Sequence, residues 1–556
     1  MVETNISPGV YTTLTDLSEY VRKVPTAIGF IPIFCERGRD NQLILTNARD
    51  FFIEFGEPNI HYAIGGDGHN YSYGHYVASS FLSESDSLYV IRCTDDAAQF
   101  ANIEFKPSAE TYATATNMNT IEEIQTQVDN NDSIMFYGLG RGEYYNNFKI
   151  KVEKYSNLEN VDNDLFLISI QKKLKESFEE PVATYDTTEE SVTIIKTEIQ
   201  YATVEKFEVS LLKNKVDHAG VSRWIEDVIN SNSKYIRCIV SQDFDFDPDD
   251  PVDLSTTSSG VSLQSGSDGN LVSNYESLLA KAYVGRLKKN ISSSEEYYVD
   301  EVLNTEDYYF SMVFDAGYPI NVKNSIAYLV SSRKDCLGII DLGDNATPEK
   351  SLLVRTNNLN FDNKYIAIYE PFTKIYDVFT GKDIWVPSTY HLAKLFPALK
   401  KEWLAPAGFD FGVISGIKEM RFSPSSSQRD SFYLKQINPI VRFNEGYAVY
   451  SQLTSQARPT ALQDVNIMRV YLYIKRALEQ FCKWYIFNLN NEETWARINQ
   501  KVTAFLSEIK TNGGLYSFSV SVGATDEQKK AKEIHVNIML EPVRLAERIY
   551  VNFTIK

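Results

Sequence analysis

Cysteine is scarce in this chain, five among 556 residues. Cys35, Cys93, Cys238, Cys336 and Cys482 are scattered, odd in number and never spaced C-x-x-C. That excludes a disulfide framework and a zinc ribbon, and it fits a reducing cytoplasm. No apolar run is long enough to span a bilayer, and the N-terminus has no apolar signal core, so export by the ordinary secretory route is not expected. Clustered positive charge is also missing. The formal net charge is −19, which argues against nucleic acid and against an anionic membrane surface.

Enzyme motifs are absent too: no H-E-x-x-H, no G-x-S-x-G and no G-x-x-x-x-G-K-[ST]. "GLGRG", Gly138 to Gly142, starts like a dinucleotide loop, but Glu143 stands where the third glycine belongs, and the stretch reads as a turn before the strand "NNFKIKV". "GGDGHN", Gly65 to Asn70, lacks the Lys and Ser/Thr of a phosphate loop. His61, His69 and His75 are spaced more widely than helical metal-binding pairs, with no cysteine among them. Asp243, Asp245 and Asp247 copy the first ligands of an EF-hand loop. Pro248 and Leu254 replace its glycine and bidentate glutamate, so the stretch reads as a plain acidic loop with at most weak calcium binding. No catalytic residue, metal or cofactor is expected.

What the chain does have is ordinary globular hydrophobicity, 43%, with 35 Tyr and 31 Phe, enough for several cores rich in sheet or interface surface. "SPGVYTTLTDLSEYV" opens it: after Pro8-Gly9, Val10, Thr12 and Leu14 alternate with Tyr11, Thr13 and Thr15, the pattern of a strand with no local hairpin partner. "PTAIGFIPIF" and "SLYVIRC" read as strands buried on both faces, and "NARDFFIEFG" as a short helix capped by Asn47 and stopped by Gly56. From about Ala101 to Thr305 the texture turns polar and β-rich, as an insertion. From Glu306 buried strands return, with a tight hairpin around Gly381.

Two helices then follow. In the first, Thr460 and Gln463 have capping-box spacing, and Ile467, Tyr471, Ile474, Leu478, Phe481 and Tyr485 share one face. Arg469, Lys475, Arg476 and Lys483 lie on its polar faces, either as a solvated surface or as a basic seat for an acidic partner. The second helix is closed by Gly513 and Gly514, and three strands follow. The last alternates Ile549, Val551, Phe553 and Ile555 with Tyr550, Asn552 and Thr554. The two terminal strands either pair within the chain or are donated to another copy.

Taken in order, these segments resemble a family. Pro8-Gly9-Val10-Tyr11, "TAIGFIPIFCERGRDNQLILTNARDFFIEFG", "SSRKDCLGIIDL", "YIAIYEPFTKIYDVFTGKDIWVPST", "WLAPAGFDFG" and the closing "EPVRLAERIYVNFTI" are similar to the tail sheath proteins of contractile-tailed bacteriophages. The likeness covers Ser7–Asp95 and Glu306–Lys556. It departs at Leu545, where a proline is expected, and at Arg548, where an aromatic is.

The resemblance implies an α/β and α+β multidomain chain. The expected division is an arm at 1–22, core halves at 23–100 and 306–455, a surface insertion of one or two subdomains at 101–305, and a tube-facing C-terminal domain at 456–556 completed by strand arms. It implies a non-enzymatic subunit that polymerises helically around a tail tube and contracts by rearrangement of its copies. Its partners would be other copies through strand exchange, the tube, the baseplate and the tail terminator, with no nucleic acid and no membrane insertion. Its place would be the virion tail, after assembly in the host cytoplasm. Val10, Tyr11, Thr12, Leu14, Ile549, Val551, Phe553 and Ile555 would form the exchanged strands, and Arg469, Lys475, Arg476 and Lys483 the grip on the tube. Another virion or injection-machine part, tube or baseplate, and a glycan-binding protein are the alternatives.

Overall fold

A computed structural model describes residues 27–106, 110–155, 164–174, 200–244, 246, 255–256, 259–292 and 297–547. The terminal arms, Asp245 and Asp247 lie outside them. Among the described residues no helix is long and apolar enough to cross a membrane, and no cluster of His, Cys, Asp and Glu could hold a metal ion.

The apolar runs form one nine-stranded sheet. Its order is Val413–Ile414, Gly446–Val449, Ile437–Phe443, Ile366–Glu370, Leu337–Asp341, Met312–Phe314, Gly29–Ile33, Leu88–Arg92, Ile44–Thr46. The six central strands run parallel, Gly446–Val449 and Ile44–Thr46 run opposite to them, and Val413–Ile414, antiparallel to Gly446–Val449, runs with the six. Gly29 stands opposite Met312, so segments from both sides of the polar middle stretch share one sheet. Gly29–Ile33, Leu337–Asp341 and Ile366–Glu370 are buried along their whole length, as parallel strands covered by helices must be. Two helix pairs pack on the sheet, Tyr73–Leu82 with Ser388–Ala398 and Leu271–Tyr283 with Ile320–Arg333. The short helix Ala48–Phe55 is capped as its sequence demands: the Asp50 amide donates to Asn47 Oδ1 at 3.0 Å, and Gly56 takes φ 82°.

The polar stretch has a core of its own. Two antiparallel four-stranded sheets, one around Ile134–Gly138 and one around Phe148–Lys154 and Leu165–Lys173, close over Phe105, Phe136, Phe148, Phe166 and Ile236. This body ends earlier than position 305. Leu271, Leu278, Tyr283, Leu287, Val299 and Val302 belong to the cluster under the nine-stranded sheet. Chain entry and exit are adjacent, because Gln99 and Ser267 pair across the neck.

The "GLGRG" stretch does more than turn the chain. Arg141 Nε donates to Asp40 Oδ2 at 2.6 Å, with both side chains buried. Arg92, fully buried, donates to the carbonyl oxygens of Cys35, Glu36, Gly38 and Arg141 at 3.0–3.3 Å. A Cβ on Gly140 would stand 2.2 Å from Gly38 O, so only glycine lets the two backbones meet. Burial works to raise the Asp40 carboxyl, but the Arg141 and Arg92 guanidiniums outweigh it and hold it below its ordinary value. The neck is a latch between insertion and core.

A second buried cluster sits at the carboxyl ends of three neighbouring parallel strands. Lys323 binds Asp315 and donates to Asp341 Oδ1 at 3.0 Å, with Glu370 close by. Burial, then the Asp341 charge, pushes the Asp315 carboxyl up to about 7 despite Lys323. Burial and Asp341 likewise raise Glu370.

Candidate assembly surfaces

The C-terminal part begins with the helix Val465–Lys483. The 460–463 stretch is not its cap. Ala461–Gln463 is a separate 3-10 turn, the Thr460 hydroxyl accepts from Gln456, and the helix starts at Val465 after Asp464 without a side-chain cap. Ile467, Ile474 and Phe481 are buried and Tyr471, Leu478 and Tyr485 half-buried, so the 3.6-residue periodicity does mark the packed side. The second helix, Glu492–Thr511, is capped by Asn491, and Gly513 follows at φ 85°.

Beyond it, Leu515–Gly523 and His535–Pro542 form a two-stranded antiparallel ribbon. Three apolar pairs, Phe518 with Leu540, Val520 with Ile538 and Val522 with Val536, face the second helix, where Ile498, Val502, Phe505, Leu506 and Ile509 are buried. The other face is exposed: Ser517 opposite Glu541, Ser519 opposite Met539, Ser521 opposite Asn537. Among the described residues neither ribbon strand has a second neighbour. Isolated two-stranded ribbons are marginal, and each outer edge offers a row of backbone donors and acceptors.

The four basic residues do not share one solvent face. Arg469 is buried, donates to Leu404 O at 3.4 Å and lies over the Phe396 ring; burial lowers its pKa from the ordinary arginine value. Lys475 donates to Lys334 O at 2.8 Å and pairs with Glu479 at 3.7 Å. Arg476 donates to Thr305 O at 3.4 Å and stacks 4.4 Å over Tyr309. These three tie the helix to the core, and Lys483 alone is exposed. Sequence gave no sign of this, because Leu404, Lys334 and Thr305 are all distant in the chain. The strand-arm residues Val10, Tyr11, Thr12, Leu14, Ile549, Val551, Phe553 and Ile555 lie outside the described residues. His75 is buried against Phe51, apart from the exposed His61 and His69, and burial lowers it to about 3. The ribbon was legible only as alternation in "LYSFSVSVG"; that neither strand has a second neighbour among the described residues was not.

Residues 457–556, which hold both helices and the ribbon, match the phage tail sheath C-terminal domain. Over 204 residues, 35% of the chain, identity is 28% to the tail sheath protein of Vibrio phage KVP40 and 26% to that of Enterobacteria phage T4. Over these stretches the chain is similar to phage tail sheath proteins. The matched stretch spans about a third of each phage sheath protein, 30% and 31%. Two solved sheath tail proteins share the fold over nearly the whole chain. The one from Listeria innocua has TM-score 0.57 at 12% identity, covering 96% of this chain and 95% of its own. The one from Desulfitobacterium hafniense has TM-score 0.51 at 11% identity, covering 96% and 100%. The expected α/β and α+β multidomain fold is therefore that of sheath proteins.

Proposed function

We propose that the chain is a subunit of a contractile phage tail sheath, a structural rather than catalytic protein. Copies polymerise helically around a tail tube and contract by changing how they pack. One observation carries the reading: a ribbon whose two strands have no second neighbour among the described residues, inside the segment that matches the sheath C-terminal domain. Val10, Tyr11, Thr12 and Leu14 of one neighbour, and Ile549, Val551, Phe553 and Ile555 of another, would each add a strand. About five backbone hydrogen bonds at about 1 kcal/mol net each give a few kcal/mol per donated strand. Such links hold while the bodies between them slide, and a second, lower-energy packing of the same bodies drives contraction without ATP.

The division into arm, core halves, insertion and tube-facing domain belongs to this reading. So do the baseplate and tail terminator as partners, and the virion tail, assembled in the host cytoplasm, as location. Of the basic residues, Lys483 remains available to the tube. Arg469→Glu tests packing instead, because that side chain is buried.

Deleting residues 1–22, or 548–556, tests the proposal. Polymers seen by negative-stain electron microscopy with the full chain should disappear, while the melting temperature of the soluble monomer stays that of the full chain. Polymers that persist in both deletions overturn it.

A further inference from the structure

The loop joining the two C-terminal helices carries four large apolar side chains into solvent. Trp484 is 81% exposed, Ile486 60%, Phe487 103% and Leu489 77%. This is not a loose end. The Ile486 amide donates to Lys483 O, the Asn488 amide to Tyr485 O and the Asn491 amide to Leu489 O. The Asn490 side chain donates to Glu533 O at 2.9 Å and accepts from the Trp495 indole at 2.8 Å. Phe487 itself is held at φ 69°, a left-handed conformation that costs a bulky residue free energy. Among the described residues nothing covers this hydrogen-bonded, strained, apolar knob.

The same chain holds a cleft of about 1060 Å³, above the roughly 300–1,000 Å³ of small-molecule pockets. Exposed Phe409, Phe411, Leu434, Tyr450 and Leu545 line it. Its charges are Asp410, Asp430 and Glu547 against the single Arg429, whereas the knob rises from the exposed Lys483. Knob and cleft sit at opposite ends of the second helix: Asn491, its N-cap, closes the knob loop, and Gly513, just past its last turn, lines the cleft. A helix of 20 residues is about 30 Å long at roughly 1.5 Å per residue. The knob therefore does not reach its own cleft.

We propose that the knob Trp484–Leu489 of one copy seats in the cleft of a second copy of this chain. Two different patches that meet head to tail repeat without closing, so the contact propagates an open assembly rather than a dimer. It involves neither terminal arm and adds to the strand links rather than replacing them, so tubes still require the arms. The preformed loop loses little freedom on docking, and Phe487 and Leu434 are its central anchors. The contact deepens the sheath reading but rests on surfaces that exist without it.

The test uses the full chain with Cys482→Ser, which leaves four buried cysteines. Asn488→Cys on the knob and Ser426→Cys on the cleft rim, both exposed and neither an anchor, are made separately and together, and treated with a short bis-maleimide. A mixture of the two single variants should give a covalent dimer, the double variant a ladder, and each single variant alone neither. Phe487→Asp or Leu434→Asp, both at exposed positions, should weaken self-association at least about tenfold in sedimentation. No cross-link in the mixture at any concentration overturns the inference, as does equal cross-linking of a single variant with itself. Electron microscopy of the same samples keeps the two readings apart. Tubes without cross-link reject this contact and leave the sheath proposal standing; cross-link without tubes does the reverse.

Discussion

The nine-stranded sheet and the C-terminal ribbon use the same kinds of residue, yet one is finished and the other is not. Ile339, Ile340, Ile366 and Ile368 of the sheet are fully buried. Val520, Val522, Val536 and Ile538 of the ribbon reach only half-burial against one helix. Each central strand of the sheet is paired on both sides, whereas among the described residues each ribbon strand has one neighbour. Stability of the single chain therefore resides in the sheet, and under the proposed function the ribbon is where a neighbour would add a strand.

The sharpest way to break that contrast is Lys323→Met. It leaves Asp315 and Asp341 buried without a cation and should cost about 3–5 kcal/mol, read from urea unfolding followed by tryptophan fluorescence and circular dichroism. Arg141→Met should cost about 3 kcal/mol by taking from Asp40 its directly bonded cation, leaving Arg92, Thr94 and Asn290 to hold the charge. It should also split one calorimetric transition into two, with the insertion melting first; one unsplit transition would show that the latch does not couple the bodies.

Next comes pH. The Asp315 carboxyl titrates near 7 when folded, against its ordinary 3.8, so the folded state holds the extra proton between those values. Its contribution to stability is then fully present below 3.8 and is lost as pH rises to about 7. Comparing urea midpoints of wild type and Asp315→Asn across that range should give a difference that changes with pH in that direction. Val520→Ala in the ribbon should cost about 1 kcal/mol or less in the monomer, yet reduce polymer yield in pelleting assays. Arg497→Ala, removing an exposed pair with Glu493, should change stability by no more than about 0.5 kcal/mol.

Local grammar made much of the fold readable. Continuous apolar runs marked Gly29–Ile33, Leu88–Arg92 and Leu337–Asp341, Asn47 and Gly56 bounded their helix, and Gly381 closed the hairpin between Thr373–Asp377 and Lys382–Val386. What failed was everything decided by partners far along the chain. Arg141 looked like a turn residue because Asp40 is 101 positions away. Arg469 looked solvated because nothing nearby in sequence announces Leu404 and Phe396. Helix Leu271–Tyr283 looked like part of the insertion because polarity, not packing, set that boundary. The ribbon strands were visible from their period of two, but an edge left open is a property of the sheet, not of the strand. The apolar run through Trp484 to Leu489 passed as the end of a helix, since exposure cannot be seen in composition.

The neck at Gln99 and Ser267 makes the insertion a replaceable module. The chain leaves and re-enters the core through two residues that hydrogen-bond each other, with the Gln99 amide donating to Ser267 O at 2.8 Å. A body of any size or binding specificity can be spliced there without moving a core strand. The newcomer must return an arginine to Asp40, a carbonyl to Arg92 and a glycine against Gly38. A lineage can thus redesign the outside of this molecule while one buried cluster around Asp40 and Arg92 checks that each new exterior is fastened on.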